Sequence, residues 1–228
     1  MNISESVLKT FSDIDAAARA AGRTGGDIAL VAASKTNPPE RVREAILAGI
    51  RHVGENRVQE LTEKNAARAY EGAKLHFIGH LQKNKVQKVV GIAGLIQSVD
   101  SAELLRAISE QASKLGIRQD ILLEVNIGAE ATKHGFSPDE LPPVLESAGI
   151  LTGICVRGLM TIPPVSEKPG ENRGHFAAMR ELFVDIITKK YDNVSMDCLS
   201  MGMSGDFTDA ILEGANMVRI GTAIFGAR

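Results

Sequence analysis

The chain has 228 residues, of which 44% are apolar and 24% are charged, a composition typical of globular domains that excludes a disordered or low-complexity protein. Its net charge of −2 excludes a protein whose main task is to bind nucleic acid, because such proteins carry a strong basic excess. With two cysteines, an N-terminus unlike a signal peptide and no apolar run of about 18 residues, the chain is expected to be cytoplasmic, with no disulfide scaffold and no membrane segment.

Apolar periodicity predicts an amphipathic helix first, from Ile3 to Ala18, because its apolar residues recur at steps of three and four. Short apolar runs then alternate with helical patterns. The runs that predict strands cover residues 28–33, 52–55, 75–79, 95–99, 121–127, 154–160, 195–200 and 217–220. The stretches between them predict helices over 38–49, 58–70, 83–90, 100–115, from 137 onward, through 176–186 and over 204–213.

Three polar residues are expected to cap helices. Asn37 precedes Pro38, which suits the first position of a helix, and Ser137 to Glu140 have the form of a capping box. Ser204 is expected to cap the helix that follows the seventh strand.

Strict alternation of strands and helices predicts an α/β fold with a parallel sheet, and eight such units predict a single (β/α)8 TIM barrel with an extra N-terminal helix. A doubly wound open sheet is the alternative, and it would normally carry a glycine fingerprint after its first strand. Here the first strand is followed by Ser34-Lys35-Thr36, and no G-x-G-x-x-G occurs. Because no linker interrupts the pattern, residues 1–228 are expected to form one domain.

Polar residues follow several predicted strands, and in a barrel the carboxyl ends of the strands surround the active face. Lys35 follows the first strand, Asn56 the second and His80 the third, while Arg219 lies in the eighth. We therefore expect a ligand site on this face, with His80 at its edge and His76 packed inside the protein.

Lys35 is the most informative single residue because it follows an apolar strand directly. A lysine at the mouth of an apolar barrel loses hydration, which favours the neutral amine. A neutral amine can attack an aldehyde and form a Schiff base. The alternative is a lysine whose long side chain extends from the strand end into solvent, and its position in the sequence does not separate the two.

Two segments near the C-terminus combine glycines with hydroxyl side chains, Ser200–Ser204 and Arg219–Thr222. The loops after the last two strands of a barrel often bind phosphate, so the two segments together favour a phosphate site. Ordinary turn and capping chemistry is the alternative for each segment alone. Arg219 also needs a partner inside the barrel, either a carboxylate such as Glu124 or Glu55 or an acceptor on a bound ligand.

Six ordered segments resemble the pyridoxal-phosphate homeostasis proteins, which are single-domain relatives of the alanine racemase N-terminal barrel. The resemblance extends from about Leu8 to the C-terminus. The segments are Ala33–Thr36, Gly54–Asn56, His76–Gln82, Gly158–Pro163, Leu199–Ser204 and Val218–Phe225.

The resemblance implies that the chain holds pyridoxal 5′-phosphate (PLP) as a Schiff base on Lys35. It implies further contacts of the cofactor: its phosphate with Ser200, Gly221 and Thr222, its pyridine nitrogen with Arg219, and its ring with Asn56. No metal site is predicted, because no Cys-x-x-Cys or His-Glu-x-x-His spacing occurs.

The function implied by the resemblance is intracellular PLP homeostasis or carriage without robust catalysis, and a PLP-dependent amino-acid racemase is the alternative. Racemisation needs two proton-transfer groups, and the related racemases supply a tyrosine from an additional domain and a partner subunit. Tyr70 and Tyr191 do not follow predicted strands, which leaves His80 or a cysteine as a second base. A phospho-sugar barrel enzyme, the third class, would have to use Glu55 and Glu124.

The expected partners follow from the same argument. PLP is the ligand, and apo forms of PLP-dependent enzymes are the recipients that a carrier role allows. No nucleic-acid or membrane partner is expected. A monomer is expected, because the second domain that forms the usual racemase dimer contact is missing.

Overall fold

A computed structural model describes residues 2–130, 134–165 and 168–226, and its eight strands form a closed parallel barrel. The strands are β1 Ala29–Ala33, β2 His52–Glu55, β3 Lys74–Phe77, β4 Leu95–Val99, β5 Gln119–Glu124, β6 Ile154–Met160, β7 Val194–Ser200 and β8 Met217–Ile220. Each strand pairs with the next along the chain, and β8 pairs with β1 to close the barrel. The predicted (β/α)8 TIM barrel is therefore confirmed.

Helices alternate with the strands, as predicted. They are α1 Ile3–Ala20, α2 Pro39–Leu47, α3 Val58–Ala66, α4 Ala102–Lys114, α5 Leu141–Gly149, α6 Arg173–Thr188, α7 Phe207–Leu212 and α8 Thr222–Phe225. The extra helix α1 precedes the first strand and packs beside α2, α7 and α8. Across the described ranges, no helix is both long enough and apolar enough to span a bilayer.

The predicted cap at Asn37 and the predicted helix over 83–90 are not found. The helix after β1 begins at Pro39, so Pro38 occupies the N-cap position and Asn37 lies one residue too early to cap it; the Asn37 side-chain amide donates to the carbonyl of Lys35. The segment Lys83–Lys88 forms a 3-10 turn and not an α-helix. The capping box from Ser137 to Glu140 is present as predicted, although it opens a short 3-10 turn that leads into α5.

The barrel interior is only partly apolar. An apolar cluster fills one part of it, consisting of Val31, Leu95, Leu122, Met160, Cys198 and Met217. Barrel interiors are normally packed with branched apolar side chains. Here Gln97, Ser200 and Arg219 are also buried, and Gln97 on β4 bonds to Ser200 on β7, a strand that is not its neighbour. This bond therefore crosses the inside of the barrel.

The close approach of β6 to β7 requires a glycine at position 158. Its φ is +148°, and a Cβ at this position would lie 1.8 Å from the carbonyl oxygen of Cys198. We expect Gly158→Ala to lower the free energy of unfolding by at least about 2 kcal/mol, because both the backbone conformation and the space exclude a side chain. Urea denaturation at neutral pH measures the change.

Gly174→Ala is the matched control, since a Cβ there meets nothing within 4 Å. The control is expected to change the free energy of unfolding by less than about 1 kcal/mol. Equal effects of the two substitutions would contradict this account of the β6–β7 contact.

Candidate functional site

Lys35 lies in a turn directly after β1. Ser34 is the last buried residue of this segment, and Lys35 itself is exposed. The expected loss of hydration is therefore not found: the turn directs the lysine out of the apolar strand, since Asn37 N–H donates to the Ser34 carbonyl at 3.0 Å and Thr36 has a φ of +65°. The solvent-facing alternative describes Lys35 in this structure.

Side chains of α3 hold the turn that carries Lys35. The backbone N–H of Thr36 donates to Glu60 Oε2 at 2.6 Å. Lys64 Nζ donates to the Ser34 carbonyl at 2.9 Å and to Glu60 Oε2 at 3.3 Å. The residues on both sides of Lys35 are therefore fixed to a helix, although the Lys35 side chain is exposed.

A buried ion pair lies beneath this turn. Lys64 Nζ is 2.7 Å from Glu55 Oε1, and the two side chains are 6% and 0% exposed. The hydroxyls of Ser34 and Tyr70 also donate to Glu55 Oε1. Burial and the charge of Glu55 raise the pKa of Tyr70 well above its usual range, so its hydroxyl remains a donor. Glu55 is thus the partner of Lys64, and the prediction that it could pair with Arg219 is wrong.

The glycine and hydroxyl residues after β7 and β8 meet as predicted. Gly221 N–H donates to Ser204 Oγ at 3.3 Å. Gly221 also lies against the end of β1, where a Cβ would be 3.2 Å from the Ala33 carbonyl oxygen. The β8–β1 junction therefore places this pair beside the turn of Lys35. Ser204 does not cap α7, because α7 begins at Phe207; the Ser204 hydroxyl accepts a hydrogen bond from the Gly221 N–H instead.

Of the other residues predicted to contact the phosphate, Thr222 lies beside Gly221 and Ser200 lies inside the barrel. Thr222 is exposed and is the first residue of α8, directly after Gly221. Ser200 is fully buried, where its Oγ donates to Gln97 at 2.7 Å and accepts from Arg219. The hydroxyl beside Gly221 is therefore that of Ser204, and Ser200 lies with Arg219.

Arg219 is buried in β8 and pairs with neutral oxygens. Its Nη1 donates to Ser200 Oγ at 2.5 Å and its Nη2 to the Thr161 carbonyl at 2.8 Å. Over the described residues, no carboxylate oxygen comes within 4 Å of its guanidinium, so Glu124 is not a salt-bridge partner. Burial lowers the pKa of Arg219 to about 10, although the negative charge of Glu124 acts to raise it. Burial also raises the pKa of Glu124 to about 7.

A line of hydrogen bonds continues from Arg219 through the barrel. Ser200 donates to Gln97 Oε1, and Gln97 Nε2 lies 2.8 Å from His76 Nδ1. Because the Gln97 amide nitrogen is a donor, His76 Nδ1 accepts, and His76 Nε2 is left to donate to His52 Nδ1 at 3.0 Å. Burial first, and then the neighbouring His52 and Lys74, lower the pKa of His76 to about 3.

Asn56 offers an unused acceptor at the end of β2. Its Oδ1 is buried and makes no hydrogen bond, although a buried amide oxygen usually has a partner. The Asn56 backbone is fixed against Gly79, where a Cβ would lie 2.1 Å from the Asn56 carbonyl oxygen. Since β2 is the neighbour of β1, this acceptor fits a ligand that contacts the turn of Lys35.

The sequence did not predict the contact of Ser204 with Gly221, nor the buried roles of Gln97 and Lys64. Gln97 carried a signal, because it is a polar residue in the middle of the apolar strand Leu95–Val99. No sequence pattern indicated that Lys64 is buried, since it lies in a polar helix, where lysines are normally solvated.

The buried pair beneath the turn gives a stability prediction. Lys64→Met is expected to lower the free energy of unfolding by about 3 kcal/mol or more, because Glu55 then remains buried without its cation. The double variant Glu55→Gln/Lys64→Met is expected to recover part of this loss. Chemical denaturation at pH 7 measures both variants.

Lys83→Met is the control, because Lys83 and Glu103 form an ion pair whose side chains are 61% and 70% exposed. Exposed pairs contribute little, so this variant should unfold nearly as the wild type does. A Lys64→Met protein as stable as the control would show that the buried pair does not hold the turn.

His76 gives a pH prediction. Its pKa of about 3 in the folded chain lies below the value of about 6.5 for an unfolded histidine. The unfolded chain therefore binds more protons between these values, and this residue makes stability fall as the pH drops from about 6.5 toward 3. The nitrogen-15 shifts of the His76 ring should stay those of a neutral imidazole down to about pH 4. Protonation near pH 6.5 would contradict the buried acceptor role of Nδ1.

Both the sequence and the fold are similar to those of known proteins. The family model described as the alanine racemase N-terminal domain matches residues 15–228. A protein of Aquifex aeolicus called pyridoxal phosphate homeostasis protein is 45% identical over 228 residues, which cover 100% of this chain and 99% of that protein. A Pseudomonas aeruginosa protein of the same name is 41% identical over 226 residues, 99% of this chain and 96% of its own length.

A solved structure extends the comparison to three dimensions. PipY of Synechococcus elongatus, determined with PLP bound, is 32% identical to this chain and superposes with a TM-score of 0.85, covering 99% of this chain and 100% of PipY. The chain therefore belongs to the pyridoxal phosphate homeostasis proteins, a group within the family of the alanine racemase N-terminal domain.

Proposed function

We propose that this chain binds PLP at the carboxyl ends of β8, β1 and β2 and acts in PLP homeostasis. The observation that carries the proposal is the β8–β1 junction, where Gly221, which bonds to Ser204, lies against the carbonyl of Ala33, two residues before the exposed Lys35. Support also comes from the relatives, which are called pyridoxal phosphate homeostasis proteins, and from PipY, whose structure contains PLP.

The residues on this face would hold both the aldehyde and the phosphate of PLP. Lys35 would hold the aldehyde carbon through its amine, in the unprotonated form and with release of water. Ser204 and Thr222 would provide hydroxyl groups for a phosphate at the junction, beside Gly221, and such groups in turns bind anions. The exposure of Lys35 suits a carrier, since the amine is open to an incoming aldehyde.

Arg219 and Asn56 are proposed to contact the ring. PLP, when bound, supplies an electron-withdrawing pyridine ring, and a cation beside the ring nitrogen disfavours its protonation. Arg219 keeps its position through Ser200 and the Thr161 carbonyl, so it would meet the ring as a fixed cation. The unused Oδ1 of Asn56 would accept a hydrogen bond from the ligand or from a bridging water.

We favour carriage over racemisation because of where the remaining proton-transfer groups lie. Tyr70 is buried against Glu55, and Tyr191 lies just before β7, at the opposite end of the strands. Cys155 lies near the start of β6, and burial raises the pKa of the Cys198 thiol to about 12. His80, at the rim, bonds to Asp100. Lys35 would therefore act without an opposing tyrosine or thiol.

The wider role is part of the same proposal. The whole chain acts as one cytoplasmic domain, it works as a monomer, and it exchanges PLP with apo forms of PLP-dependent enzymes. Its net charge of −2 favours protein and small-molecule partners over nucleic acid, which would require a basic excess.

Borohydride reduction tests the attachment point. Protein loaded with PLP is reduced, digested and analysed by peptide mass spectrometry, and we expect the cofactor mass on the peptide containing Lys35. Lys35→Ala should lose the adduct. Lys85→Ala is the control, because Lys85 belongs to the 3-10 turn after β3, and it should keep the adduct.

The test has two outcomes that would overturn the proposal. One is an adduct that persists on another lysine in the Lys35→Ala variant. The other is turnover of L-alanine to D-alanine by the loaded protein at rates of about 1 to 1000 per second, which is the range of ordinary enzymes.

A further inference from the structure

A cluster of two histidines and one aspartate lies on the same rim of the barrel. His80 follows β3, Asp100 follows β4 and His134 lies between β5 and α5. Asp100 Oδ2 is 2.9 Å from His80 Nδ1 and 3.6 Å from His134 Nδ1. The three ligand atoms all lie within 4.8 Å of one another. One carboxylate oxygen thus faces the same ring nitrogen of two imidazoles.

The arrangement differs from an ordinary histidine–aspartate pair. The two imidazole rings are stacked, with centroids 3.9 Å apart and an angle of 16° between their planes. Both Nδ1 atoms face Asp100 Oδ2, so a cation placed among them would have two imidazole nitrogens and one carboxylate oxygen within reach. Without a cation, the Nδ1–H of His80 donates to Asp100, and a bound cation would take the place of that proton.

The backbone near each ligand is fixed. Ser98 Oγ donates to the carbonyl of Gly79, which precedes His80, at 2.5 Å. Ser101, which follows Asp100, caps α4 by accepting from Leu104 N–H. Phe136, two residues after His134, exchanges backbone hydrogen bonds with the end of β5 and the residues after it. Fixed backbones limit the entropy that is lost when a cation is bound.

Exposure leaves room for further ligands. The Asp100 side chain is 8% exposed, while those of His80 and His134 are 45% and 61% exposed. Two nitrogens and one carboxylate oxygen form a donor set that suits zinc and other late divalent transition metals. The open side of the cluster would be completed by water.

We propose that His80 Nδ1, His134 Nδ1 and Asp100 Oδ2 form a binding site for a divalent transition metal, with water in the remaining coordination positions. The site lies on the β3–β5 side of the barrel mouth, across from the β8–β1 junction, and its geometry does not depend on the proposed PLP function. No sequence spacing predicts it, because the three ligands come from three separate loops.

Cobalt(II) titration of the full chain without a polyhistidine tag tests the proposal. We expect one saturable site per chain, visible d–d absorption bands and displacement of the cobalt by one equivalent of zinc(II). His80→Asn, His134→Asn and Asp100→Asn should each weaken cobalt binding by at least about tenfold, because even the loss of an outer hydrogen-bond partner costs about 10-fold to 100-fold at metal sites.

His175→Asn is the matched control, since His175 lies on α6 and outside the cluster. Its cobalt affinity should equal that of the wild type. Absence of saturable binding would overturn the proposal, as would equal binding by the double variant His80→Asn/His134→Asn. The second result would place the metal at other groups, such as the buried pair His52–His76.

Discussion

The ion pair of Lys64 with Glu55 fixes the turn on which the proposed chemistry depends. Lys64 also bonds to the Ser34 carbonyl, and Glu60 binds the Thr36 N–H, so the backbone on both sides of Lys35 is held by α3. Burying two charges is costly unless they are paired and hydrogen-bonded. Three donors on Glu55 Oε1, from Lys64, Ser34 and Tyr70, offset part of that cost, although the buried Glu55 Oε2 makes no hydrogen bond. The result is a fixed base for a side chain that remains free to reach a ligand.

The second buried cation, Arg219, is arranged differently. It has neutral partners, Ser200 and the Thr161 carbonyl, and the line of bonds through Gln97 to His76 keeps Ser200 in place. Because no carboxylate of the described residues lies within salt-bridge distance of the Arg219 guanidinium, its charge is only partly offset, by the more distant Glu124 and Asp206. This arrangement suits a site that holds a phosphorylated pyridine without strengthening it as an electron acceptor.

The alternation of strands and helices predicted the barrel, because parallel strands covered on both faces leave a clear apolar pattern. It also placed Lys35, Asn56, Arg219 and Gly221 on one face, since Lys35, Asn56 and Gly221 follow strands and Arg219 lies near the end of β8. The partners of these residues could not be predicted. Lys64 is distant in sequence from Ser34, and the bond between Gln97 and Ser200 crosses the barrel, so neither contact leaves a local pattern.

A crystal structure of the chain grown with PLP tests the central claim most directly. The account predicts continuous density from Lys35 Nζ to the cofactor, a phosphate against Gly221 and Ser204, and the Arg219 guanidinium beside the ring nitrogen. A phosphate bound away from the β8–β1 junction, or a cofactor attached to another lysine, would contradict it.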